Sequence, residues 1–340
     1  MFETIKDYFF KNAEKYNLRV TNKADISVVS YAVNSNEYGI INIFIGDKGG
    51  PRLILRISRY DRFGNLYRER LRSLRSELQD DVYAKVRTHI LAGEEINIAG
   101  KDYLLFPYIN CVNAYMKIRR AILGRDKIMA NIVDAVLNFS FKLEEAGNAR
   151  AQKISEKLVE TIIKRFRDSY TSDEVNSLNK KIQNALKNGQ IDICQTIIHN
   201  DLGATNILVG HGTYWVVDWE YWDNCAGIFN FFDILSDFGS LVGLGIFQKR
   251  SYANFLRFLN IDVRNSFISK CRHYSKKVGY FALDPEAVWY LFLLYLMNKA
   301  TCQYRVYGSH YNFDYFWYRM LLNSLAYKNI FIHWWQRCML

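Results

Sequence analysis

Residues 197–221, IIHNDLGATNILVGHGTYWVVDWEY, decide how the rest of this sequence is interpreted. Two short apolar segments, 206–209 and 214–217, stand on either side of the tetrapeptide GHGT at 210–213. Apolar runs joined by a glycine-containing turn are typical of a β-hairpin. The pattern therefore predicts two short antiparallel strands with polar residues at both of their outer ends.

The predicted hairpin brings two oxygen-bearing side chains together. If the chain folds back about Gly212, Asn206 lies opposite Asp218, and directly opposed residues have Cβ atoms about 4.5–5.5 Å apart. An amide oxygen and a carboxylate suit a hard cation, and Mg²⁺ takes few protein oxygens and completes its shell with phosphate and water. The spacing therefore predicts a Mg²⁺ site formed by Asn206 and Asp218.

A third polar residue, Asp201, lies in the loop five positions before Asn206. The small residues between them allow the loop to bend back, so that the carboxylate lies near the metal without binding it. There it can accept a hydroxyl proton and orient the hydroxyl for attack on phosphorus. His199, the other candidate catalytic residue, is expected mainly to brace this loop through hydrogen bonds.

Each of these residues alone has an ordinary structural explanation. A single Asp or Asn in a turn usually serves to form the turn, and a single His is usually a core or surface residue. Here the order is His-x-Asp-x4-Asn, strand, turn, strand, Asp. The combination indicates a site in which the residues act together.

The region before this stretch is rich in strand patterns. Residues 26–58 contain three segments in which apolar and polar positions alternate and several residues are β-branched, which predicts three antiparallel strands. Residues 65–79 have leucines at helical spacing, which predicts a helix. Two further strand candidates follow at 95–98 and 103–109. We therefore expect a β-rich first lobe at 1–110 that combines a sheet with a helix.

The remainder, 111–340, is dominated by helical patterns, with the predicted hairpin inside it. The clearest helical segments are 127–145, 154–170 and 173–186. The sequence therefore predicts an α+β fold with two lobes, a small β-rich one and a larger helical one that carries the catalytic hairpin.

Composition narrows the classes of function. The chain has 340 residues, 50% of them apolar, a formal net charge of +11 and no apolar stretch of the roughly 20 residues that cross a bilayer. The positive charge favours anionic partners such as nucleotide phosphates, nucleic acid or an anionic membrane surface. No pair of the six cysteines has CxxC spacing, so buried thiols in a reducing, cytoplasmic setting are expected.

The segments HNDLGATN and VVDWE resemble the catalytic loop and metal motif of the aminoglycoside phosphotransferase and choline kinase superfamily. The resemblance implies a protein-kinase-like fold, with a nucleotide-binding sheet in the lobe 1–110 and the acceptor site in the lobe 111–340. It also implies transfer of a phosphoryl group from ATP, with Mg²⁺, to a hydroxyl of a small molecule such as an amino alcohol, aminoglycoside or sugar. It also implies that Asp201 is the catalytic base, that Asn206 is a Mg²⁺ ligand and that Asp218 is the second, bridging ligand.

Two further segments are similar to parts of that superfamily. WEYWDNCAGIFNFFDI resembles the stretch after the metal-binding Asp, where Asp233 would cap the next helix. YLLFPYIN resembles the hinge segment, where backbone groups of Pro107, Tyr108 and Ile109 would face adenine. Pro107 can accept a hydrogen bond there but cannot donate one.

The first lobe departs from the superfamily pattern in two places. LILRIS has Arg56 where the superfamily has a phosphate-binding Lys, and Arg differs from Lys in shape and donor geometry. Its expected acidic partner is Glu69, with Glu77 as the alternative. The loop VNSNEYG at 33–39 also lacks a glycine-rich run, and neither GxxxxGK[ST] nor GxGxxG occurs after a strand.

These observations favour a small-molecule phosphotransferase and leave three alternatives. A nucleotide-binding pseudokinase acting as a scaffold draws its support from Arg56. A protein kinase-like enzyme is disfavoured because no APE-type segment follows Asp218. A nucleic-acid binder would account for the charge, but no recognition module is present. The acceptor stays open: the residues 219–223, WEYWD, could supply carboxylates or an aromatic cage for a cation, or could belong to the core.

Overall fold

The computed structural model describes residues 1–32, 40–58, 61–121, 124–169, 174–241, 261–307 and 328–339. The loop at 33–39 that departs from the superfamily pattern lies outside the described residues. The chain forms two compact units, one of Met1–Glu77 with Leu91–Cys111 and one of Leu78–Ile90 with Val112–Leu340. We refer to them as unit 1 and unit 2.

Unit 1 is a five-stranded antiparallel sheet with two helices, and its strand order is β1-β2-β3-β5-β4. The three strands predicted within 26–58, the helix predicted near 65–79 and the two later strands are confirmed. The elements are α1 (Phe2–Lys11), β1 (Ser27–Ala32), β2 (Ile40–Asp47), β3 (Gly50–Ser58), α2 (Asp61–Glu77), β4 (Glu94–Ile98) and β5 (Lys101–Pro107).

The core of unit 1 lies on one face of this sheet because side chains alternate along each strand. Ile43, Ile45 and Leu55 are fully buried there, and α1 adds Ile5 and Phe9 to the same cluster. The face of β3 that bears Leu55 is thus committed to the core. Its alternate positions point to the opposite face.

Unit 2 is mainly helical and contains two small sheets, of order β6-β8-β9 and β10-β7. The helices predicted at 127–145, 154–170 and 173–186 are confirmed. The elements are α3 (Ala84–Arg87), β6 (Val112–Asn113), α4 (Ala114–Arg120), α5 (Arg125–Ala149), α6 (Glu156–Ser169), α7 (Glu174–Lys187), β7 (Gln195–Ile198), β8 (Ile207–Gly210), β9 (Thr213–Val216), β10 (Asp223–Ala226), α8 (Ile228–Leu241), α9 (Ile261–Val278), α10 (Pro285–Tyr307) and α11 (Lys328–Met339).

Two helices of unit 2 are buried on nearly all sides. Every residue of α8 with a described side chain is buried except Ser236, and residues 291–302 of α10 are buried throughout. Because a polar side chain in such a helix must find a partner, α8 and α10 are suited to hold a polar loop in one position. In the described part of the chain, no helix combines the length and hydropathy needed to cross a membrane.

The predicted α+β fold, with a small antiparallel sheet unit and a helical unit, is confirmed. One segment differs in placement from the lobes expected at 1–110 and 111–340. Residues Leu78–Ile90 belong with unit 2, because Val216 of β9 donates its backbone N–H to the His89 carbonyl at 2.7 Å.

Candidate active site

The loop 199–206 is held on α8 by three buried side chains of one helix face. Positions 230, 233 and 237 are three and four residues apart, so they share a face, and each accepts a backbone N–H from the loop. The bonds are His199 N to Asn230 Oδ1 (2.9 Å), Leu202 N to Asp233 Oδ2 (3.0 Å) and Ala204 N to Asp237 Oδ2 (2.6 Å). The loop therefore has a fixed backbone before any ligand binds.

A glycine is required where this loop meets α8. A Cβ atom on Gly203 would lie 2.8 Å from the carboxyl carbon of Asp237, closer than side-chain atoms ordinarily approach. The residue Gly203 thus lets the loop backbone come close enough to bond with the helix carboxylates.

The predicted role of Asp233 as a helix cap is wrong. Helix α8 begins at Ile228, so Asp233 lies inside it, 2% exposed. Its Oδ1 accepts hydrogen bonds from Tyr295 Oη and Lys299 Nζ, both at 2.6 Å. The carboxylate therefore links the loop to α10, because its other oxygen already holds Leu202.

His199 is fully buried, and both of its ring nitrogens have partners. The backbone N–H of Asp201 donates to Nδ1 at 3.2 Å, so Nε2 carries the proton and donates to the Val217 carbonyl at 2.8 Å. Burial lowers the pKa of His199, which favours this neutral form. The ring also lies edge-on against Trp219, with centroids 4.5 Å apart. This geometry agrees with a bracing role for His199.

The structure brings Asp201 and Asn206 together. The Asn206 Nδ2 donates to both the backbone carbonyl and the Oδ2 of Asp201, each at 2.8 Å. Asn206 is buried, whereas about a third of the Asp201 side chain is exposed. Since both bonds use Nδ2, the amide oxygen of Asn206 is the atom that faces away from Asp201.

The predicted register of the hairpin is wrong by one residue. Val217 donates its N–H to the Asn206 carbonyl at 3.0 Å, so Asn206 pairs with Val217 and not with Asp218. The turn is shorter than expected: His211 and Gly212 both have positive φ, 49° and 75°, as in a two-residue hairpin loop. Such a loop pairs Gly210 with Thr213 and shifts every later pair.

Asp218 follows the end of the hairpin in a left-handed backbone conformation, with φ 60° and ψ 57°. This conformation is uncommon for residues other than glycine, although Asp and Asn tolerate it, and such backbones cluster at functional sites. The backbone turn moves Asp218 out of the strand ladder.

Sequence reasoning missed two residues of α10 that contact the loop. Asn298 Nδ2 donates to the side-chain oxygen of Asn200 at 3.0 Å, and Lys299 Nζ lies 3.6 Å from Asp201 Oδ1. Burial acts against the charge of Lys299, but the carboxylates of Asp233 and Asp201 raise its pKa above the ordinary value. The sequence feature that could have indicated them is the polar pair Asn298-Lys299 within the apolar run VWYLFLLYLMNKA.

In unit 1, Arg56 lies on the sheet face opposite the core. Its Nε donates to Asn42 Oδ1 at 3.0 Å and its Nη1 to Tyr67 Oη at 2.8 Å, while its guanidinium lies 5.4 Å from the Phe106 ring centroid. Glu69 is an exposed residue of α2. The Arg56–Glu69 pair stays a prediction.

In the segment 107–109, which is expected to face adenine, the backbone N–H of Tyr108 already donates a hydrogen bond within the protein. Pro107 ends β5, and the N–H of Tyr108 donates to the Arg52 carbonyl at 2.8 Å. The Ile109 carbonyl accepts from Cys111 N at 2.8 Å. Contact of this segment with a base stays a prediction.

The aromatic and acidic residues after Asp218 divide into two groups. Trp219 and Tyr221 are buried and belong to the core, as Trp219 packs on His199. Glu220, Trp222 and Asp223 are half-buried, and Asp223 Oδ2 forms an ion pair with Arg165 Nη1 at 3.1 Å. Of the two groups, the second has surface that a small molecule could contact.

A scan against protein-family models finds no match, and a search of curated proteins finds none either. Solved structures do match. The chain is similar to choline kinase from Cryptosporidium parvum Iowa II, with a TM-score of 0.53 and 13% identity over 98% of this chain and 97% of that one. It is also similar to Plasmodium vivax ethanolamine kinase, with a TM-score of 0.51 and 14% identity over 94% of this chain and 86% of that one. At these identities the likeness shows a shared fold, which agrees with the kinase-like fold expected from the sequence.

Proposed function

We propose that this protein is an ATP- and Mg²⁺-dependent phosphotransferase that moves the γ-phosphoryl group to a hydroxyl of a small molecule. The observation that supports the proposal most directly is the contact between Asp201 and Asn206 in a loop held by α8. The shared fold supports it as well, since the two similar solved structures are named as choline and ethanolamine kinases.

In this reaction Asp201 would accept the proton of the acceptor hydroxyl. The acceptor oxygen forms a bond to the γ-phosphorus while the bond to the β–γ bridging oxygen breaks, and ADP leaves. Asp201 suits the role because its carboxylate is partly exposed and its backbone is fixed. His199 would not serve as the base in this scheme, because both ring nitrogens hold the loop, and we assign it a positioning role.

The residues at the hairpin ends fit a magnesium ion by their chemistry. The amide oxygen of Asn206 and the carboxylate of Asp218 are hard oxygen ligands, and Mg²⁺ commonly takes only one or two such ligands beside phosphate and water. Bound there, the ion would neutralise charge on the β- and γ-phosphates. Asp218 stands outside the strand ladder, which agrees with a role other than strand pairing.

Two parts of unit 1 would contribute nucleotide contacts. Arg56 would offer a fixed positive charge to phosphate oxygens, since Asn42 and Tyr67 already orient its guanidinium. In the segment Pro107-Tyr108-Ile109, the N–H of Tyr108 is bonded to Arg52, so we assign the donor role toward adenine to Ile109.

A screen of the purified protein tests this function. The protein is incubated with Mg²⁺, ATP and single hydroxylated metabolites, including amino alcohols, aminoglycosides and sugars, and both ADP release and the mass of the acceptor are followed. The proposal predicts that at least one acceptor gains a phosphoryl group in step with ADP release. ATP binding without transfer to any acceptor would instead favour the pseudokinase alternative, and transfer to protein would favour a protein kinase-like enzyme.

A further inference from the structure

Lys299 is a buried charge in an otherwise apolar part of α10. Its side chain is 5% exposed, and its neighbours 291–298 are buried as well. Burying an ammonium group is costly unless carboxylates compensate it, and two do: Asp233 Oδ1 at 2.6 Å and Asp201 Oδ1 at 3.6 Å. An ammonium at this place therefore needs an explanation beyond packing.

The two carboxylate oxygens of Asp201 have different partners. Oδ2 accepts the Asn206 amide at 2.8 Å, and Oδ1 faces the Lys299 ammonium. A carboxylate turns readily about its last side-chain bond, because that torsion is broad. Contacts on both oxygens restrict the turning and set the plane of the group.

We propose that Lys299 is a positioning residue for phosphoryl transfer, which fixes the orientation of the Asp201 carboxylate toward the acceptor hydroxyl. The inference rests on the proposed function. It goes beyond that function because Lys299 lies far from the catalytic loop in sequence and belongs to a different helix.

The Lys299 ammonium also lies between Asp201, the proposed base, and Asp233, which holds the loop of Asp201 on α8. Asp233 bonds Lys299 with Oδ1 and the Leu202 N–H with Oδ2. The side chain of Asp201 and the backbone of the neighbouring Leu202 are thus both positioned by the buried Lys299–Asp233 pair. A displacement of a reacting group by about 1 Å can reduce the rate by a hundredfold, so this arrangement can affect turnover without any contact with substrate.

The test compares Lys299→Met with Tyr295→Phe in the full-length protein, using ATP, Mg²⁺ and an acceptor from the screen. Lys299→Met keeps the apolar stem and removes the ammonium, and we expect kcat to fall by about tenfold to a hundredfold with the KM for ATP changed less than about threefold. Tyr295→Phe removes the hydroxyl that donates to the same Asp233 oxygen and accepts from Lys299 Nζ at 3.3 Å, but it keeps the Lys299 ammonium beside Asp201. It should retain kcat within about threefold.

A second variant covers the case in which Lys299→Met does not fold. Lys299→Met combined with Asp233→Asn removes both charges of the buried pair, so no uncompensated carboxylate is left at position 233. The double variant also lacks the partner of Asp201 Oδ1. The double variant should show the same loss of kcat as Lys299→Met. The single variant Lys299→Arg, which keeps a positive charge, should have a kcat between those of Lys299→Met and the wild type.

The results separate the possible failures. A wild-type protein without any transfer overturns the proposed function and the role of Lys299 together. Transfer that survives Asp201→Asn leaves the phosphotransferase function standing but overturns Asp201 as the base, and with it the role of Lys299. Transfer that is lost in Asp201→Asn but is normal in Lys299→Met, or in the double variant, overturns only the role of Lys299. A loss of kcat in Tyr295→Phe as large as in Lys299→Met would also contradict it, because that variant keeps the Lys299 ammonium beside Asp201.

Discussion

The side chain of Asn206 bonds Asp201 twice, once at the carboxylate and once at the backbone carbonyl, each at 2.8 Å. Both bonds use the amide nitrogen. The amide oxygen is therefore available for a different task, and one side chain can orient the base and bind a metal at the same time. The two tasks can be separated by mutation.

Asn206→Asp replaces the donor with an oxygen next to the Asp201 carboxylate and keeps an oxygen that can bind Mg²⁺. Because the lost bond to Asp201 is charge-assisted, we expect turnover to fall at least about tenfold. Mg²⁺-dependent nucleotide affinity should stay within about threefold, because an oxygen that can bind the metal is kept. Asn206→Ala should lose both properties. Calorimetric titration with Mg-ATP, together with turnover, distinguishes them; equal turnover in Asn206→Asp and wild type would show that the bond does not orient the base.

Asp218→Ala addresses the metal directly. The substitution removes the proposed carboxylate ligand, and Asp218 lies after the strand ladder and not within it. We expect Mg²⁺-dependent nucleotide binding to be abolished and the melting temperature of the nucleotide-free protein to change little. Titration calorimetry in the presence and absence of Mg²⁺ measures the first quantity. An unchanged Mg-ATP affinity would rule out Asp218 as the bridging ligand.

Arg56 is the residue on which the enzyme and pseudokinase alternatives differ. Arg56→Ala should weaken ATP binding by roughly tenfold to a hundredfold, the equivalent of about 1.5–3 kcal/mol for one charge-assisted contact. Arg56→Lys should recover part of this, because it keeps the charge but not the planar group that bonds Asn42 and Tyr67.

The matched control for Arg56 is Tyr67→Phe, which removes one of its orienting bonds and keeps its charge. It should weaken ATP binding less than Arg56→Ala does. If Arg56→Ala binds ATP like the wild type, Arg56 is not the phosphate contact, and Lys48 becomes the residue to test.

The sequence predicted the unit 1 strands and the proximity of Asp201 and Asn206 because these depend on local patterns. Alternating β-branched residues commit one strand face to the core, and the small residues of LGAT allow the loop to bend. The hairpin register was missed by one because GHGT allows a three-residue loop centred on Gly212 as well as a two-residue loop. Only the positive φ of His211 and Gly212 selects the shorter one.

The partners of the loop could not be predicted for a different reason. Asn230 and Asp233 follow the loop by about thirty residues, and Lys299 by about a hundred, so their contacts depend on how helices pack. The resemblance to the superfamily suggested that Asp233 caps a helix, and a single sequence does not show which backbone N–H the carboxylate meets. Lys299 stands out in the sequence as a charged residue in an apolar helix, but the sequence does not predict which side chain it contacts.

A buried carboxyl away from the site provides a test of the fold. Glu144 of α5 is buried and accepts a hydrogen bond from Tyr274 of α9, and burial raises its pKa to about 7. Because the folded protein holds this proton more tightly than the unfolded chain, the contribution of Glu144 to stability is complete below about pH 4.5. That contribution is lost as the pH rises toward 7 and above, by about 3 kcal/mol.

Glu144→Gln removes this titration while keeping the size of the side chain. The melting temperature of the variant, relative to that of the wild type, should therefore rise between pH 5 and pH 8. Thermal unfolding of both proteins across this range measures the difference, and other titrating groups cancel in the comparison. A difference that is constant with pH would show that Glu144 does not titrate there.

The most direct test of the account is the turnover of Asp201→Asn with saturating Mg-ATP and an acceptor identified in the screen. The amide keeps the shape of the side chain but cannot take up the hydroxyl proton. The account predicts that ATP affinity and melting temperature stay close to the wild-type values while turnover falls at least about a hundredfold, the usual scale of general-base assistance. Turnover close to that of the wild type in a folded, nucleotide-binding Asp201→Asn protein would contradict it.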